Sequence, residues 1–254
     1  VGPGGRSDGE CHDAADHQQQ VRVFTAMRDA LRATGRPMVY SINPNSSADH
    51  TAGARYDWSG IADTVRAAGD LAPVWRDSLA QLGTFDPFAT GDFLGVPDQF
   101  AAAASVVTPG RPGYWTDADM LVVGVQWTDL ATLLFQRMRD QLAAGGLPPD
   151  QTERLRQVTG MSEDQVRRVL AAQPNLTDTE QRAHLSLWAM LSAPLIAGND
   201  VRTMSPQTRD ILTNREVIRI DQDPRMASAR PMPADPRVLV KPLSDGSVAV
   251  GLFN

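Results

Sequence analysis

Apolar and polar positions along the chain switch repeatedly between helical and extended spacing. Residues 18–33 carry Val21, Phe24, Met27 and Leu31 three to four positions apart, which predicts a helix with one apolar face. Further helical segments are predicted at residues 58–65, 74–82, 130–142 and 150–172. Short apolar runs, which are typical of buried strands, occur at residues 37–42, 66–71, 121–123 and 193–198.

Local signals predict where two of the later helices begin. Thr177 and Glu180 have the spacing of a capping box, which predicts a helix that continues through Leu191. Ser205 followed by Pro206 predicts the start of another helix, which ends near residue 212. The predictions of these two helices therefore rest on local start signals as well as on the periodicity of apolar residues.

The remaining segments are predicted to be extended or irregular. Residues 217–220 are a short apolar run and are predicted to be extended. Residues 237–242 and 247–253 flank a Ser-Asp-Gly turn at 244–246, which predicts a β-hairpin. Residues 83–119 are rich in Gly, Pro, Phe and Asp and are predicted to be irregular; a loop of that length is usually functional or an insertion.

Strands and helices thus alternate through most of the chain, a pattern that predicts an α/β protein with a parallel sheet. The closing hairpin predicts a separate β domain that begins near the end of the chain. No Gly-x-Gly-x-x-Gly or phosphate-binding loop is present, which argues against a nucleotide-binding fold.

Composition narrows the function classes. The 254 residues are 42% apolar with a net charge of -6, which suits one large or two modest globular domains. The sequence shows no basic stripe and no apolar run of about 18 residues, so neither a nucleic-acid nor a membrane partner is expected. One cysteine and four scattered histidines make no metal-ligand set, and no cofactor is expected.

The two ends of the chain suggest a fragment. It starts at Val1 without a methionine and stops in an apolar run that resembles a strand. We therefore expect a longer parent protein, in which part of any active site lies outside this chain.

Polar residues follow the predicted strands at the edge where parallel α/β folds place their catalytic groups. They are Asn43, Asp70, Asp117, Asp119, Asn199 and Asp200. Carboxylates and amides can bind sugar hydroxyls, the nearby aromatic residues Tyr114 and Trp115 can stack on sugar rings, and glycoside hydrolysis needs two carboxylates. The residues alone therefore indicate a carbohydrate site and go no further.

Several segments together resemble one family. They are residues 185–202 (LSLWAMLSAPLIAGNDVR), 115–121 (WTDADML), 35–41 (GRPMVYS), 65–70 (VRAAGD), 204–224 and 238–247. Taken in their order along the chain, they resemble the α-galactosidase (melibiase) family, glycoside hydrolase family 27, and the likeness spans most of the chain.

The resemblance implies a fold and a mechanism. Residues 1–227 would form the C-terminal half of a (β/α)8 TIM barrel, and residues 228–254 would begin an antiparallel β-sandwich domain. The activity implied is a retaining exo-glycosidase that hydrolyses terminal α-D-galactosyl residues from galactosides in carbohydrate metabolism. Its nucleophile, an Asp in a Lys-x-Asp pattern, would lie just upstream of Val1, because the chain itself contains no such pattern.

The resemblance also assigns roles to residues of this chain. Asp70, four residues after Arg66, would be the catalytic acid/base. The substrate-binding residues would be Arg66, Asp119, Met120, Asp117 and Asn43. Asn199, Asp200, Asp221 and Asp223 would be structural, and Trp188 and Met190 would belong to the core.

The chain departs from the family pattern at several positions, and these departures leave the identity of the substrate's sugar undetermined. The family's Cys-Glu-Trp after one strand is replaced by Ile42-Asn43-Pro44-Asn45, in which Asn43 is the nearest polar substitute, and a family Trp is replaced by Val65. Residues 148–180 resemble an insertion. β-L-Arabinopyranosides, α-N-acetylgalactosaminides and isomaltose-type glucans therefore remain alternative substrates.

Two other function classes are also considered. One is a carbohydrate-binding relative that has lost catalysis, and the other is an adhesin domain with no sugar site. The substrate class predicts secretion, and the arginine-rich, lysine-poor composition suggests a bacterial source. Oligomeric state is left open.

Overall fold

A computed structural model describes residues 14–45, 51–76, 93–146, 152–153, 156 and 159–253. Its helices are α1 (Ala14–Ala33), α2 (Ala52–Arg55), α3 (Val96–Ala104), α4 (Trp127–Ala144), α5 (Glu163–Ala172), α6 (Asp178–Leu191), α7 (Pro206–Leu212) and α8 (Arg215–Asp221). Its strands are β1 (Ser41–Ile42), β2 (Thr64–Arg66), β3 (Asp70–Leu71), β4 (Phe93–Leu94), β5 (Trp115–Asp117), β6 (Arg230–Met232), β7 (Asp235–Pro242) and β8 (Val248–Leu252).

A short parallel sheet positions the polar residues of interest. β2 lies between β1 and β5, with Ile42 opposite Val65 and Arg66 opposite Asp117. Helical segments connect these strands, so the predicted α/β class with parallel strands is confirmed. Because parallel neighbours end at one edge of a sheet, Arg66 and Asp117 leave their strands side by side.

Two smaller parallel pairings extend this edge. β3 and β4 pair with Asp70 opposite Phe93, directly after β2. Leu121 makes an isolated parallel bridge with Ala197, in which Leu121 N donates to Ile196 O at 2.7 Å. The second pairing fixes the segment after β5 against residues 196–198.

Helix α6 is the centre of the main hydrophobic core. The predicted capping box is confirmed, since Thr177 accepts from Glu180 N while the Glu180 side chain accepts from Thr177 N. Its apolar side chains are almost all buried and pack against α3, α7, α8 and β8. Trp188 and Met190 belong to this core, as expected.

The last three strands form an antiparallel sheet in the order β6-β7-β8. The predicted hairpin is confirmed, with Val240 opposite Val250. Lys241 of β7 is fully buried, and its ammonium donates to Ala189 O at 2.6 Å and to Ser192 Oγ at 2.7 Å. The ammonium thus satisfies the carbonyl end of α6, where a cation is favoured.

Two element predictions are wrong. Residues 58–65 are a turn followed by β2, because Ile61 N and Ala62 N both donate to Trp58 O and the β-branched pair at 64–65 then joins the sheet. Residues 217–220 lie in helix α8, whose start is capped by the Asn214 side chain. A four-residue apolar run fits a strand and a buried helix equally well, and the cap decides between them.

Other predictions need correction in part. The segment 83–119 contains β4, α3 and β5, and α3 begins with Pro97 in its first turn. The run 66–71 is two strands, so Asp70 begins β3 and does not end β2. The runs 37–42 and 193–198 shorten to β1 and to the bridge at Ala197. Residues 77–82 of the predicted helix 74–82 lie outside the described part, as does Cys11.

Among the described helices, none is both long enough and apolar enough to span a bilayer.

The buried Asp221 makes the stability of this region depend on pH. Burial raises its pKa to about 7, although the Lys241 charge opposes the shift. The folded state then holds a proton that the unfolded state loses above about pH 4, so stability falls as pH rises from 4 to 7. Asp221→Asn should remove this decline and raise the free energy of unfolding at pH 7 by about 2–3 kcal/mol, measured by urea unfolding.

Asp245→Asn is the control of opposite sign. Hydrogen bonds from Ser247 lower the pKa of Asp245, so its carboxylate stabilises the fold above the unfolded pKa. This substitution should therefore lower stability at pH 7. A decline between pH 4 and 7 that is the same in Asp221→Asn and in the unsubstituted protein would contradict the assignment.

Candidate active site

The guanidinium of Arg66 joins the ends of β2, β3 and β5. Its Nη2 donates to Asp70 Oδ1 at 2.9 Å, to Gly69 O at 2.9 Å and lies 2.8 Å from Asp119 Oδ2. The Arg66 side chain is 14% exposed, whereas that of Asp70 is 61% exposed. A largely covered cation is therefore shared by one exposed carboxylate, Asp70, and one buried carboxylate, Asp119.

Asp119 is held on both carboxylate oxygens. Oδ2 accepts from Leu71 N at 2.8 Å in addition to the Arg66 contact, and Oδ1 accepts from Met120 N at 2.7 Å. Asp119 is buried, with 8% of its surface exposed. The carboxylate is thus oriented by two backbone donors and one charged donor, an arrangement suited to binding rather than to attack.

Asp117 supports Asp119 from the end of β5. Its Oδ1 accepts from Asp119 N at 2.8 Å. Burial raises the pKa of Asp117, and the Asp119 charge adds to the rise, while Arg66 and the hydrogen bond from Asp119 N oppose it. Burial is the main cause of this shift, and the attraction of Arg66 offsets only part of it.

Asn43 reaches the cluster through Asn45. Asn43 Oδ1 accepts from Asn45 Nδ2 at 2.9 Å, and the same amide donates to Arg66 O at 3.1 Å and to Ala68 O at 2.8 Å. Asn45 Oδ1 accepts from Gly53 N at 2.9 Å. A β-carbon on Gly53 would lie 1.6 Å from Arg66 O, so only glycine fits beside this carbonyl.

Met120 lies on the outer side of the cluster. Its side chain is partly exposed and covers Gly198, where an added β-carbon would lie 2.7 Å from the Met120 sulfur. The bridge between Leu121 and Ala197 fixes this contact. Met120 is therefore an apolar surface beside the carboxylates, as a sugar-binding site requires.

The structure brings the predicted acid/base and the five predicted substrate-binding residues into one connected cluster. They are Asp70, Arg66, Asp119, Met120, Asp117 and Asn43. The sequence missed two supporting amides, Asn45 and Gln99. Gln99 of α3 is fully buried and its Nε2 donates to Gly69 O at 3.1 Å, next to Asp70. The Asn-Pro-Asn motif after β1 is a signal for a side chain that bonds nearby backbone; no comparable signal marks Gln99.

The cluster does not look like a metal site. In the part of the chain that the structure describes, no three His, Cys, Asp or Glu side chains converge as metal ligands would. The Arg66 guanidinium already occupies the space between Asp70 and Asp119. A separate cavity of about 620 Å³ touches the cluster through Asp117. Its other lining residues are Val39, Ser41, Thr64, Trp115, residues 192–196, residues 221–224 and Met226.

Comparisons with known proteins identify the family that the chain matches. The family model described as alpha galactosidase A matches residues 6–143 and 151–223. Alpha-galactosidase A of Cellvibrio japonicus is 30% identical over 235 residues, which are 91% of this chain and 43% of that protein. Among solved structures, alpha-galactosidase I from Mortierella vinacea superposes with a TM-score of 0.59 at 25% identity, covering 92% of this chain and 47% of its own.

A third likeness includes a bound sugar. The alpha-galactosidase from Saccharomyces cerevisiae, solved with raffinose, superposes with a TM-score of 0.57 at 26% identity and covers 92% of this chain and 44% of its own. The chain spans less than half the length of the curated relatives it matches.

The contacts of Asn45 predict its effect on stability. Asn45→Ala should lower the free energy of unfolding by about 2–4 kcal/mol, because Arg66 O, Ala68 O and Gly53 N each lose a partner. Chemical denaturation measures this loss. Asn214→Ala, which removes the cap of α8, should cost only about 1 kcal/mol. Equal losses in the two variants would contradict the supporting role of Asn45.

Proposed function

This chain belongs to the alpha galactosidase A family, and we propose that it forms the acid/base and sugar-binding part of a retaining exo-glycosidase for terminal α-D-galactosides. The observation that carries the proposal is the Arg66 bridge between an exposed Asp70 and a buried Asp119. It separates one carboxyl that can meet a leaving group from one that is fixed for binding.

Asp70 is the proposed general acid and base. Its side chain is open to the site and its Oδ1 is oriented by Arg66. In the first step Asp70 gives its proton to the glycosidic oxygen as the bond from that oxygen to the anomeric carbon breaks. In the second step Asp70 takes a proton from the water that replaces the enzyme's carboxylate at that carbon.

The nucleophile is proposed to be an Asp from the part of the protein upstream of Val1. Asp117 and Asp119 are unsuited to the task. Asp119 has both oxygens occupied by backbone donors, and Asp117 is tied to Asp119 N. A retaining enzyme needs its nucleophile about 5–5.5 Å from the acid/base carboxyl, so the upstream Asp would face Asp70 across the sugar.

The remaining residues of the cluster are proposed to bind the sugar. Asp119 and Arg66 offer an acceptor and donors for hydroxyl groups, and Asp117 holds Asp119 in place. Met120 provides an apolar contact. Asn43, exposed at the end of β1, would reach a hydroxyl that depends on the identity of the sugar.

The architecture proposed for the complete protein follows from the same family. Residues 1–227 would supply the C-terminal half of a (β/α)8 barrel, and residues 228–254 the first strands of a β-sandwich. The parallel order β1-β2-β5 followed by the Leu121–Ala197 bridge supports this arrangement, as do the antiparallel strands β6-β8. An extracellular bacterial enzyme of carbohydrate metabolism is the setting that we propose.

Hydrolysis of a chromogenic α-galactoside by the complete protein tests the proposal. Asp70→Asn should lower kcat by about 10²–10⁴-fold, because the leaving oxygen no longer receives a proton. Azide, or a leaving group that needs no proton, should restore part of the rate. Asp235→Asn is the matched control: Asp235 also pairs with an arginine, Arg237 at 2.7 Å, but lies in the β-sheet away from the cluster.

Each outcome distinguishes the alternatives. Normal activity in Asp70→Asn would overturn its assignment and point to Asp117 or Asp119. Cleavage of a β-L-arabinopyranoside, an α-N-acetylgalactosaminide or an isomaltose-type glucan in place of the α-galactoside would keep the mechanism and change the sugar. Binding of galactose without hydrolysis of any of them would indicate a non-catalytic carbohydrate-binding protein.

A further inference from the structure

Asp119 has a backbone conformation that its neighbours must maintain. Its φ of 75° is in the left-handed region, which a residue with a β-carbon adopts at a cost. Both of its backbone polar groups are bound by side chains: N donates to Asp117 Oδ1 at 2.8 Å, and O accepts from Trp188 Nε1 at 2.7 Å. The direction of the Asp119 carboxylate therefore depends on side chains that never touch it.

Trp188 is one of three polar side chains that α6 directs at the loop 119–124. All three are buried, and each hydrogen bonds a backbone group of that loop; Gln181 Nε2 also donates to Leu176 O at 3.1 Å. The bonds are Trp188 Nε1 to Asp119 O at 2.7 Å, Val122 N to His184 Nε2 at 3.0 Å and Gly124 N to Gln181 Oε1 at 2.8 Å. Positions 181, 184 and 188 lie on one face of a helix, so one rigid element holds the whole loop.

His184 acts here as a neutral acceptor. It is fully buried, and burial lowers its pKa to about 3, so Nε2 stays free to accept from Val122 N at any working pH. Its ring meets the edge of Trp188 with centroids 4.1 Å apart, which fixes the indole as well. The hydrogen bonds between α6 and the loop are thus buried among packed side chains.

We propose that Trp188 is a positioning residue for sugar binding, with His184 as its support: it sets the direction of the Asp119 carboxylate through the Asp119 carbonyl. The inference rests on the proposed function, because it takes Asp119 to be the sugar-binding carboxylate. Trp188 makes no hydrogen bond to Asp70 or Arg66 in the described residues, and the proposal assigns its effect to sugar binding through Asp119.

The kinetic consequence separates Trp188 from Asp70. A hydroxyl bond from Asp119 is present in the bound sugar and in the transition state alike. Weakening it removes binding equally from both states, which raises KM and leaves kcat unchanged. Loss of the acid/base lowers kcat instead.

Trp188→Phe in the complete protein tests this, because phenylalanine keeps an aromatic ring and loses the N–H. KM for the chromogenic α-galactoside should rise about three- to tenfold, the effect of one lost hydrogen bond, while kcat stays within about twofold. Trp58→Phe is the matched control. Trp58 is also fully buried and its Nε1 donates to a carbonyl, Ala52 O at 3.3 Å, in a separate cluster. Its KM should not change.

A second pair of variants tests the support from His184. His184→Gln keeps an acceptor for Val122 N and should preserve KM, whereas His184→Leu removes the acceptor and should raise KM as Trp188→Phe does. If Trp188→Phe does not fold, this pair still shows whether the bonds between α6 and the loop 119–124 affect KM.

The contrary outcomes are distinct. An unchanged KM in Trp188→Phe, or an equal rise in Trp58→Phe, would overturn the positioning role while the proposed function stands. Equal KM values in His184→Gln and His184→Leu would remove His184 from it. An unsubstituted protein that hydrolyses none of the glycosides and binds no galactose would overturn the proposed function, and with it this inference.

Discussion

The largely covered guanidinium of Arg66 makes the interactions on which the rest of the cluster depends. Asp117 ends β5, Asp119 follows it by two residues and Asp70 begins β3, so the pairing of β2 with β5 brings three carboxyl groups close to Arg66. Without Arg66, the Asp119 carboxylate would lose its one charged donor and Asp70 Oδ1 would lose its partner. Arg66 therefore holds one covered carboxylate and one exposed carboxylate in a fixed relation to each other.

Hydrogen bonds from side chains to the surrounding backbone hold the segments that carry Arg66 and Asp119 in place. Amide side chains bind the backbone around Arg66, with Asn45 on one side and Gln99 on the other. Helix α6 binds the loop that carries Asp119, and Lys241 of the β-sheet binds the end of that same helix. A continuous set of hydrogen bonds therefore runs from the antiparallel sheet through α6 to the candidate site.

The sequence predicted features whose causes are local. The capping box at Thr177, the helix start at Ser205 and the hairpin turn depend on residues within three or four positions of one another. The extended structure predicted for residues 217–220 was wrong, because four apolar residues fit either a strand or a helix. The bond from Trp188 to Asp119 O joins residues 69 positions apart, and nothing in the intervening sequence encodes it. The six site residues came from the family pattern and from strand ends.

Lys241 has one more consequence. It is the chain's single lysine, and its amine is enclosed between β7 and the end of α6. Reagents that acylate lysine side chains, and proteases that cut only after lysine, would find no accessible target in this chain while the sheet stays docked on the helix. The rate at which this one side-chain amine is labelled would therefore report how often the contact between β7 and the end of α6 opens. The label would be read at a single position in the peptide map.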